Sequence, residues 1–289
     1  MTSFPAPELS VIIAVFNGGP RLAEQLDALA AQTGAPPFEV IAADNGSNDG
    51  SGDLVLTYRE RLDVTVVDAS AQRGQTFARN VGVGVARADR FAFLDQDDVV
   101  DERYIAAMAD ALTRHDFVGA RLETGRLNAD WLVTARRPAQ TDTLPTTPVP
   151  WAYGCTIGIR RSAFDAIGGF DTNLYVSSED IDFCARAAAL GIVLASAPDA
   201  VLHYRLAGTC LALLRQGRRY GIGYEFVATK HGFDREPASR WLRMTLGSVR
   251  RAVAVDRARR AQGSFLLGRR WGELEGRVRA GLAVRMNWR

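Results

Sequence analysis

The sequence predicts an α/β fold in which a mostly parallel central sheet is flanked by helices and followed by a basic helical segment. Over the first 120 residues, short apolar runs alternate with amphipathic helical stretches, a pattern typical of βαβ units. Polar residues directly follow these runs, at the positions where open α/β sheets bind ligands. Arginine becomes much more frequent beyond residue 205.

The individual elements can be placed from periodicity and from turn residues. The amphipathic helix that begins at Pro20 has apolar residues at Leu22, Leu26 and Leu29. Glycines at 168, 169 and 191 are expected to end two later helices. The predicted strands are 9–15, 38–43, 64–68, 90–94, 153–161 and 192–197, and the predicted helices are 20–32, 53–61, 76–87, 101–112, 161–170 and 177–191.

Length and charge divide the chain into two predicted domains. We expect an α/β domain over 1–205 and a helical, arginine-rich extension over 206–289. Residues 1–204 hold 16 basic and 27 acidic side chains, which gives a net charge of −11. Residues 205–289 hold 19 basic and 6 acidic side chains, which gives a net charge of +13. Between about 122 and 152 no period is visible, which predicts a loop that is either an acceptor-binding lid or a plain surface connection.

The cysteines and the lengths of the apolar runs indicate where in the cell the protein is located. Cys155, Cys184 and Cys210 are widely spaced and show no metal-ligand pattern, which favours reduced thiols in the cytoplasm. No leader-like segment opens the chain, and its early apolar run is far shorter than the ~20 residues of a membrane span. We therefore expect a cytoplasmic protein that is soluble or bound peripherally to the inner face of the cell membrane.

An acidic cluster follows the strand at 90–94. Asp95, Asp97 and Asp98 would repel one another at neutral pH, and a divalent cation between them would relieve the repulsion. Oxygen-rich sites of this kind suit Mn²⁺ or Mg²⁺ bound together with substrate phosphates. The alternative is that Asp98 or Asp101 caps the following helix.

Six segments, taken in order, resemble the family 2 glycosyltransferases of GT-A fold. They are "LSVIIAVFN", "VIAADNGSNDGS", "GQTFARNVGV", "FLDQDD", "GGFD" and "SSEDIDFCAR". A single such motif is weak, but the ordered set is specific, and the similarity extends over roughly residues 8–205. The resemblance implies an enzyme that moves a sugar from a nucleotide-sugar.

The resemblance also implies how the donor and its metal are bound. Asp97 resembles the direct ligand of Mn²⁺ or Mg²⁺, and Asp95 resembles the residue that reaches the ribose or the metal. Asp44 resembles the acidic residue that recognises the base, and His203 resembles a metal or diphosphate ligand, although a packed histidine at a strand end is an equal alternative. The other implied donor contacts are Ala14, Phe16, Asn17, Asn45, Arg79, Gln96 and Arg219, with Arg218 as the alternative to Arg219. For Arg79 the alternative is a salt bridge on a helix surface.

The "ED" pair of the last motif is the implied catalytic pair. Asp180 resembles the base that accepts the proton of an acceptor hydroxyl, and Glu179 resembles a residue that orients the acceptor. Capping by acidic residues in a first helical turn is the competing explanation.

The implied reaction is transfer of a single sugar, with inversion, from a UDP-, GDP- or dTDP-sugar to a hydroxyl acceptor. A lipid-linked or cell-envelope glycan precursor and a secondary metabolite are both compatible acceptors. Two departures leave the nucleotide open: Ala14 stands where many relatives have proline, and Asn45 where many have a second acid. The segment "QGRRY" (216–220) resembles a motif of processive synthases with Tyr220 in place of tryptophan. A catalytically inactive scaffold and, less favoured, a nucleotidyltransferase are the rival functions.

The basic extension has several compatible partners. Arginine-rich helices that contain Trp241, Phe265, Trp271 and Trp288 could lie on an anionic membrane surface. A contact with the acidic domain and a homodimer interface are the alternatives. Nucleic acid is not an expected partner, because no stacking aromatics are interleaved with the basic residues and no known module is visible.

Overall fold

The computed structural model describes residues 4–174 and 176–285, with side chains as far as residue 280. Trp288 lies outside the described residues. The chain divides into two compact units. The α/β unit comprises Met1–Glu123, Ala139–Tyr175 and Asp180–Tyr204, and the helical unit comprises Thr124–Pro138, Val176–Glu179 and Arg205–Arg289. The division into independent domains at residue 205 stays a prediction.

A mixed sheet forms the centre of the α/β unit. In the described residues its strands are β1 (Leu9–Val15), β2 (Phe38–Asp44), β3 (Asp63–Asp68), β4 (Arg90–Asp95), β5 (Val99–Val100), β6 (Phe117–Glu123), β7 (Ile157–Arg160) and β8 (Leu194–His203). They are arranged in the order β3-β2-β1-β4-β7-β6-β8-β5. β3, β2, β1 and β4 run parallel, as do β6 and β8, whereas β7 and β5 run antiparallel to their neighbours.

Helices pack against this sheet and make up most of the helical unit. The helices of the α/β unit are α1 (Gly19–Ala30), α2 (Ser51–Leu56), α3 (Gln75–Val85), α4 (Tyr104–Arg114) and α6 (Arg161–Ile167). The helix α7 (Glu179–Ala189) also belongs to this unit, except for its first residue. The helical unit contains α5 (Asp130–Ala135), α8 (Cys210–His231), α9 (Ala238–Ala252) and α10 (Arg257–Arg285).

The predicted α/β fold with a helical basic C-terminal segment is confirmed. The β1 strand is an apolar run that is buried along almost its whole length, as expected of a strand covered on both faces. α1 begins with a proline in its first turn and buries Leu22, Leu26 and Leu29. α6 ends at Gly168, which adopts the left-handed conformation that glycine tolerates.

Several expectations about local structure are wrong. α4 begins at Tyr104 and has no side-chain cap, so neither Asp98 nor Asp101 caps it. Asp98 is separated from α4 by the strand β5, and the Asp101 carboxylate accepts from the N–H of Arg103, before the first helical residue, at 3.4 Å. The segment predicted as a loop over 122–152 contains α5. The strand β6 was not predicted, and β8 continues six residues beyond the predicted end at 197 to reach His203.

Glycine allows α8 and α10 to approach each other closely in the helical unit. A Cβ atom on Gly217 would lie 2.1 Å from the carbonyl oxygen of Phe265, and one on Gly272 would lie 2.0 Å from that of Arg218. Ion pairs add to this contact: Arg218 makes two hydrogen bonds to Glu275, and Arg277 pairs with Glu225. Among the described residues, no helix is both long and apolar enough to cross a membrane.

Two glycines of α3 give a matched test of the packing. Gly82 is buried, and a Cβ there would lie 2.6 Å from the Cγ2 methyl of Ile12 in β1, whereas Gly84 is exposed with open space around it. Both changes to alanine gain similar helix propensity, but only Gly82→Ala overpacks the interface between helix and sheet. We expect Gly82→Ala to be less stable than Gly84→Ala by about 1–3 kcal/mol in chemical denaturation. Equal stability would show that α3 does not contact the sheet this closely.

Candidate functional site

The loops that follow β1 and β2 are joined to each other. The backbone N–H of Asn17 donates to the Ser47 hydroxyl at 3.0 Å, and the Asn17 side chain accepts from the N–H of Asn48 at 2.9 Å. Asn17 has a φ of 50°, in the left-handed region that asparagine tolerates better than most residues. The Gly18 N–H donates to the Ser51 hydroxyl at 2.9 Å. The carboxyl ends of the two strands therefore form one connected rim.

Gln96 connects the same rim to β4. Its side-chain amide makes reciprocal hydrogen bonds with the backbone of Phe16, accepting from the N–H at 2.8 Å and donating to the carbonyl at 3.0 Å. The Phe16 ring is 45% exposed, and the guanidinium of Arg73 lies 6.0 Å from its centroid. Ala14 lies two residues earlier, in β1, where it pairs with Ala43 of β2 on one side and with Asp95 of β4 on the other. Gln96 thus holds an exposed aromatic ring at the sheet edge.

Asp44 and Asn45 have different environments at the end of β2. The Asp44 carboxylate accepts from the N–H of Ser47 at 2.8 Å, and its register partner across the sheet is Asp68. The Asn45 side chain donates to the carbonyls of Ala69 and Gln72 and accepts from the N–H of Gly74. Asn45 therefore fixes the loop between β3 and α3. Hydrogen bonds from Ser70 lower the pKa of Asp68.

Arg79 lies in the interior behind the acidic cluster. It is 1% exposed, which excludes the helix-surface salt bridge considered above, and its Nη2 donates to Asp95 at 2.8 Å. Its guanidinium also lies 5.3 Å from the centroid of Phe170. A Cβ atom on Gly154 would lie 2.5 Å from Nη1 of Arg79, so only glycine leaves room for the guanidinium there. The ion pair is thus enclosed on several sides.

The acidic cluster is divided between the interior and the surface. Among the described residues, Asp95, Asp98 and Cys155 form the group of three whose ligand atoms lie within 4.8 Å of one another. Asp98 is 1% exposed, whereas the Asp97 side chain is 43% exposed and lies 3.6 Å from Arg21. The predicted set Asp95, Asp97 and His203 does not form such a group in the described residues.

His203 is held between two carboxylates at the end of β8. Its Nδ1 lies 2.7 Å from Glu123, and its Nε2 lies 3.5 Å from Asp101. In the sheet its register partner is Val99, which follows the acidic cluster by one residue. The structure therefore places His203 beside the strand that extends from the cluster, with carboxylates at both ring nitrogens.

Asp180 is oriented by backbone N–H groups of the α/β unit. One carboxylate oxygen accepts from Ile181 at 2.8 Å and the other accepts from Gly154 at 3.3 Å. Since Gly154 also touches Arg79, the Asp180 carboxylate and the Arg79–Asp95 pair flank the same glycine. Glu179 precedes Asp180 in the chain and is 4% exposed.

The arginines of "QGRRY" differ in what they contact within the helical unit. Arg218 is engaged by Glu275 and lies 5.0 Å from the centroid of Trp271. Arg219 is exposed, and its backbone carbonyl accepts from the Ser177 hydroxyl at 2.8 Å. Of the two side chains, that of Arg219 is the more accessible to a ligand.

Cys155 is the site residue that sequence reasoning missed. Burial raises the pKa of its thiol well above the usual range, and the nearby charges of Asp95, Asp98 and Asp180 raise it further while Arg79 opposes them. The same four groups surround one buried thiol, so the structure brings together residues from three separate sequence motifs. The sequence "YGCT" contains no spacing or charge that could have revealed this position.

The strand order and the polar rim at the carboxyl ends of β1, β2 and β4 define a GT-A-like α/β fold. The family model described as glycosyl transferase family 2 matches residues 10–168, and the one described as glycosyl transferase family group 2 matches residues 91–255. The chain belongs to glycosyltransferase family 2.

Curated relatives agree with this assignment. The chain is 29% identical over 221 residues to validoxylamine A glucosyltransferase of Streptomyces hygroscopicus subsp. limoneus, covering 64% of this chain and 49% of that one. It is 26% identical over 274 residues to N-acetylglucosaminyl-diphospho-decaprenol L-rhamnosyltransferase of Mycobacterium tuberculosis, covering 81% of this chain and 88% of that one. The alignments with the first curated relatives span from about half to two thirds of those proteins.

Among solved structures, mannosyltransferase PcManGT from Pyrobaculum calidifontis, in complex with GDP-Man and Mn²⁺, is similar with a TM-score of 0.57 at 19% identity. The similarity covers 98% of this chain and 76% of that one. At this identity the likeness shows a shared fold.

The burial of the thiols can be tested by their reactivity. Cys155 and Cys184 are 2% and 1% exposed and have raised pKa values because of burial, whereas Cys210 is partly exposed. Because the thiolate is the reactive form, we expect a disulfide reagent at pH 8 to modify one thiol rapidly and the other two only after denaturation. Cys210→Ser should remove the rapid phase. Rapid reaction of a second thiol would show that the interior beside Asp95 is open to solvent.

Proposed function

We propose that the chain transfers a single sugar from a nucleoside-diphosphate donor to a hydroxyl acceptor, with inversion and with the help of Mn²⁺ or Mg²⁺. The observation that supports this most strongly is the convergence of Asp95, Arg79 and Asp180 around Gly154 in a family 2 glycosyltransferase. The proposed metal-binding carboxylates, an interior cation and the proposed base come from separate motifs, and Asp95 lies at the carboxyl end of β4, where α/β sheets bind ligands.

The rim formed by the loops after β1 and β2 suits the nucleoside. The exposed Phe16 ring offers a flat apolar surface for a base, and Asp44 offers a carboxylate that can accept hydrogen bonds from it. In this proposal Ala14 and Asn17 flank the base. Asn45 and Gln96 act as positioning residues, because their side-chain amides are bonded to the loops that carry the site.

The acidic cluster has a donor set that fits a hard divalent cation. Asp95 and Asp98 supply carboxylate oxygens close together, and Asp97 presents a further carboxylate to solvent at the same strand end. When bound, Mn²⁺ or Mg²⁺ neutralises charge on the departing nucleoside diphosphate. His203 lies within reach of Asp101 and Glu123, so we assign it to holding these carboxylates or the metal. Arg219 stays a predicted donor contact.

Asp180 is our proposed catalytic base. In the reaction the acceptor hydroxyl oxygen bonds to the anomeric carbon, the bond from that carbon to the diphosphate oxygen breaks, and the hydroxyl proton passes to Asp180. Attack from the side opposite the leaving group inverts the anomeric centre. The N–H groups of Ile181 and Gly154 hold the carboxylate in one orientation, which the reaction requires of a base. Glu179 is proposed to orient the acceptor.

The relatives suggest the class of acceptor. The rhamnosyltransferase, whose name specifies N-acetylglucosaminyl-diphospho-decaprenol, aligns over 88% of its length, whereas the validoxylamine glucosyltransferase aligns over about half. The more complete alignment favours a sugar linked to a polyprenyl diphosphate, a precursor of cell-envelope glycans, over a soluble metabolite.

Donor binding can be tested by thermal stabilisation with UDP, GDP, CDP and dTDP, each with and without Mn²⁺. We expect one nucleotide at saturating concentration to raise Tm by about 5 °C, and only when Mn²⁺ is present. Asp97→Ala should abolish the metal-dependent part, because it removes the proposed ligand. Asp110→Ala is the matched control, since Asp110 is an exposed carboxylate on α4 that pairs with Arg114. No stabilisation by any nucleotide would favour the scaffold function.

The role of Asp180 can be tested with the donor identified in that assay. Asp180→Asn keeps the shape of the side chain but removes the base, so we expect kcat to fall by about 10²–10⁴-fold while donor binding is retained. Asp165→Asn, an exposed position on α6, should leave kcat unchanged. Asp180→Asn with normal kcat would assign the base to another residue.

A further inference from the structure

The helix α9 uses one of its faces to pack on α10. On this face the indole N–H of Trp241 donates to Glu273 at 2.8 Å, and Arg270 donates to the Met244 sulfur at 3.3 Å. Ser248, one turn further on, is 2% exposed. Close packing continues to the end of the helix, because a Cβ atom on Gly263 of α10 would lie 2.1 Å from the backbone nitrogen of Ala252.

A second apolar face, formed by α9 and by Val253 directly after it, is exposed. Leu242, Leu246, Val249 and Val253 are 56%, 58%, 43% and 78% exposed, and they follow one another at intervals of four, three and four residues. Residues at these intervals form one stripe along a helix, here well separated from Trp241, Met244 and Ser248. Val255, just beyond the helix, is 93% exposed. We call these five residues the α9 stripe.

Hydrogen bonds fix the turn that follows α9, which contains the last two residues of the α9 stripe. The Arg260 guanidinium donates to the carbonyl oxygens of Ala254 and Val255 at 3.1 and 2.8 Å. These hydrogen bonds fix the turn in which Val253 and Val255 face solvent. The exposure of the two valines therefore belongs to a defined turn.

Arginines accompany the stripe without acidic partners. Arg243 and Arg250 each follow a stripe residue by one position, and Arg251 lies next to Arg250. Within the part of the chain that the structure describes, none of these three arginines forms an ion pair with a carboxylate. No acidic residue occurs in α9 itself. The stripe is therefore an apolar surface bordered by uncompensated positive charge.

We propose that the α9 stripe docks on a membrane surface that contains anionic lipids. A helix with one apolar face and flanking arginines lies in the plane of the lipid interface, with its apolar side chains among the upper acyl chains and its cations at the phosphates. This inference goes beyond the proposed glycosyl transfer, because it rests on the helical unit alone and needs no donor or acceptor.

Charge decides between a membrane and a second copy of the chain. In a two-fold dimer the same patch meets itself, so Arg243 and Arg250 of one copy would approach Arg243 and Arg250 of the other. Such an interface would place like charges together with no carboxylate of α9 to offset them. An anionic lipid surface supplies the opposite charge and accepts the apolar stripe at the same time.

Vesicle flotation tests the proposal with the purified full chain and no nucleotide. We expect binding to phosphatidylcholine vesicles that contain about 30% phosphatidylglycerol, weak binding to pure phosphatidylcholine, and weakening at high salt. Leu242→Ser combined with Leu246→Ser should reduce binding at least about tenfold, because two interfacial leucines are removed. Arg243→Gln combined with Arg250→Gln should reduce it by a similar factor on anionic vesicles only.

Two control pairs match these variants. Leu190→Ser with Val193→Ser removes side chains that are 56% and 77% exposed in the α/β unit, and Arg59→Gln with Arg103→Gln removes two exposed arginines there. Both control pairs should bind vesicles as well as the parent chain does, and all the variants should have the melting temperature of the parent chain. The proposal is overturned if the parent chain does not float with anionic vesicles, if the control pairs lose binding equally, or if the stripe variants instead dissociate a dimer.

Discussion

The buried ion pair between Arg79 and Asp95 is the interaction on which the candidate site depends. A guanidinium that is 1% exposed loses its hydration, and the carboxylate of Asp95, 2.8 Å away, offsets part of that loss. Removing the Asp95 carboxylate would take away part of the compensation of this buried charge. This requirement explains the glycine at 154, because any side chain there would occupy the space that the guanidinium fills.

The ion pair also determines which carboxylates remain available for a ligand. Asp95 is bound from behind by Arg79, so it is held at the strand end in one orientation, while Asp97 stays accessible at the surface. Asp98 turns into the interior beside Cys155. Three acidic residues that look alike in the sequence thus have different environments, because Asp95 ends β4 beside an interior cation whereas Asp97 and Asp98 belong to the turn that follows.

Much of the fold and part of the site could be predicted from sequence, because the strands β1 to β4 are long apolar runs that local pattern identifies. The strand β6 escaped because Gly119 and Arg121 interrupt its apolar pattern, and its strand character depends on pairing with β7 and β8. Asp98 was considered as a cap because burial cannot be read from its neighbours in the chain. Cys155 could not be found at all, since its significance arises from residues that are distant in sequence. The motif residues Asp44, Arg79, Asp95 and Asp180 were selected by resemblance, and their roles stay predictions.

The helical unit shows why net charge is a poor guide to the surface that a basic segment presents. Each of the four glutamates between residues 206 and 289 bonds to two arginines, so that seven of the arginines in this segment have a glutamate partner. The glutamates are Glu225, Glu236, Glu273 and Glu275. Arg243, Arg250 and Arg251 lie outside these networks, on the helix that also exposes the α9 stripe. Because these three arginines have no glutamate partner, part of the remaining positive charge lies beside the exposed leucine and valine side chains of α9, and this coincidence on one helix suits an anionic lipid surface.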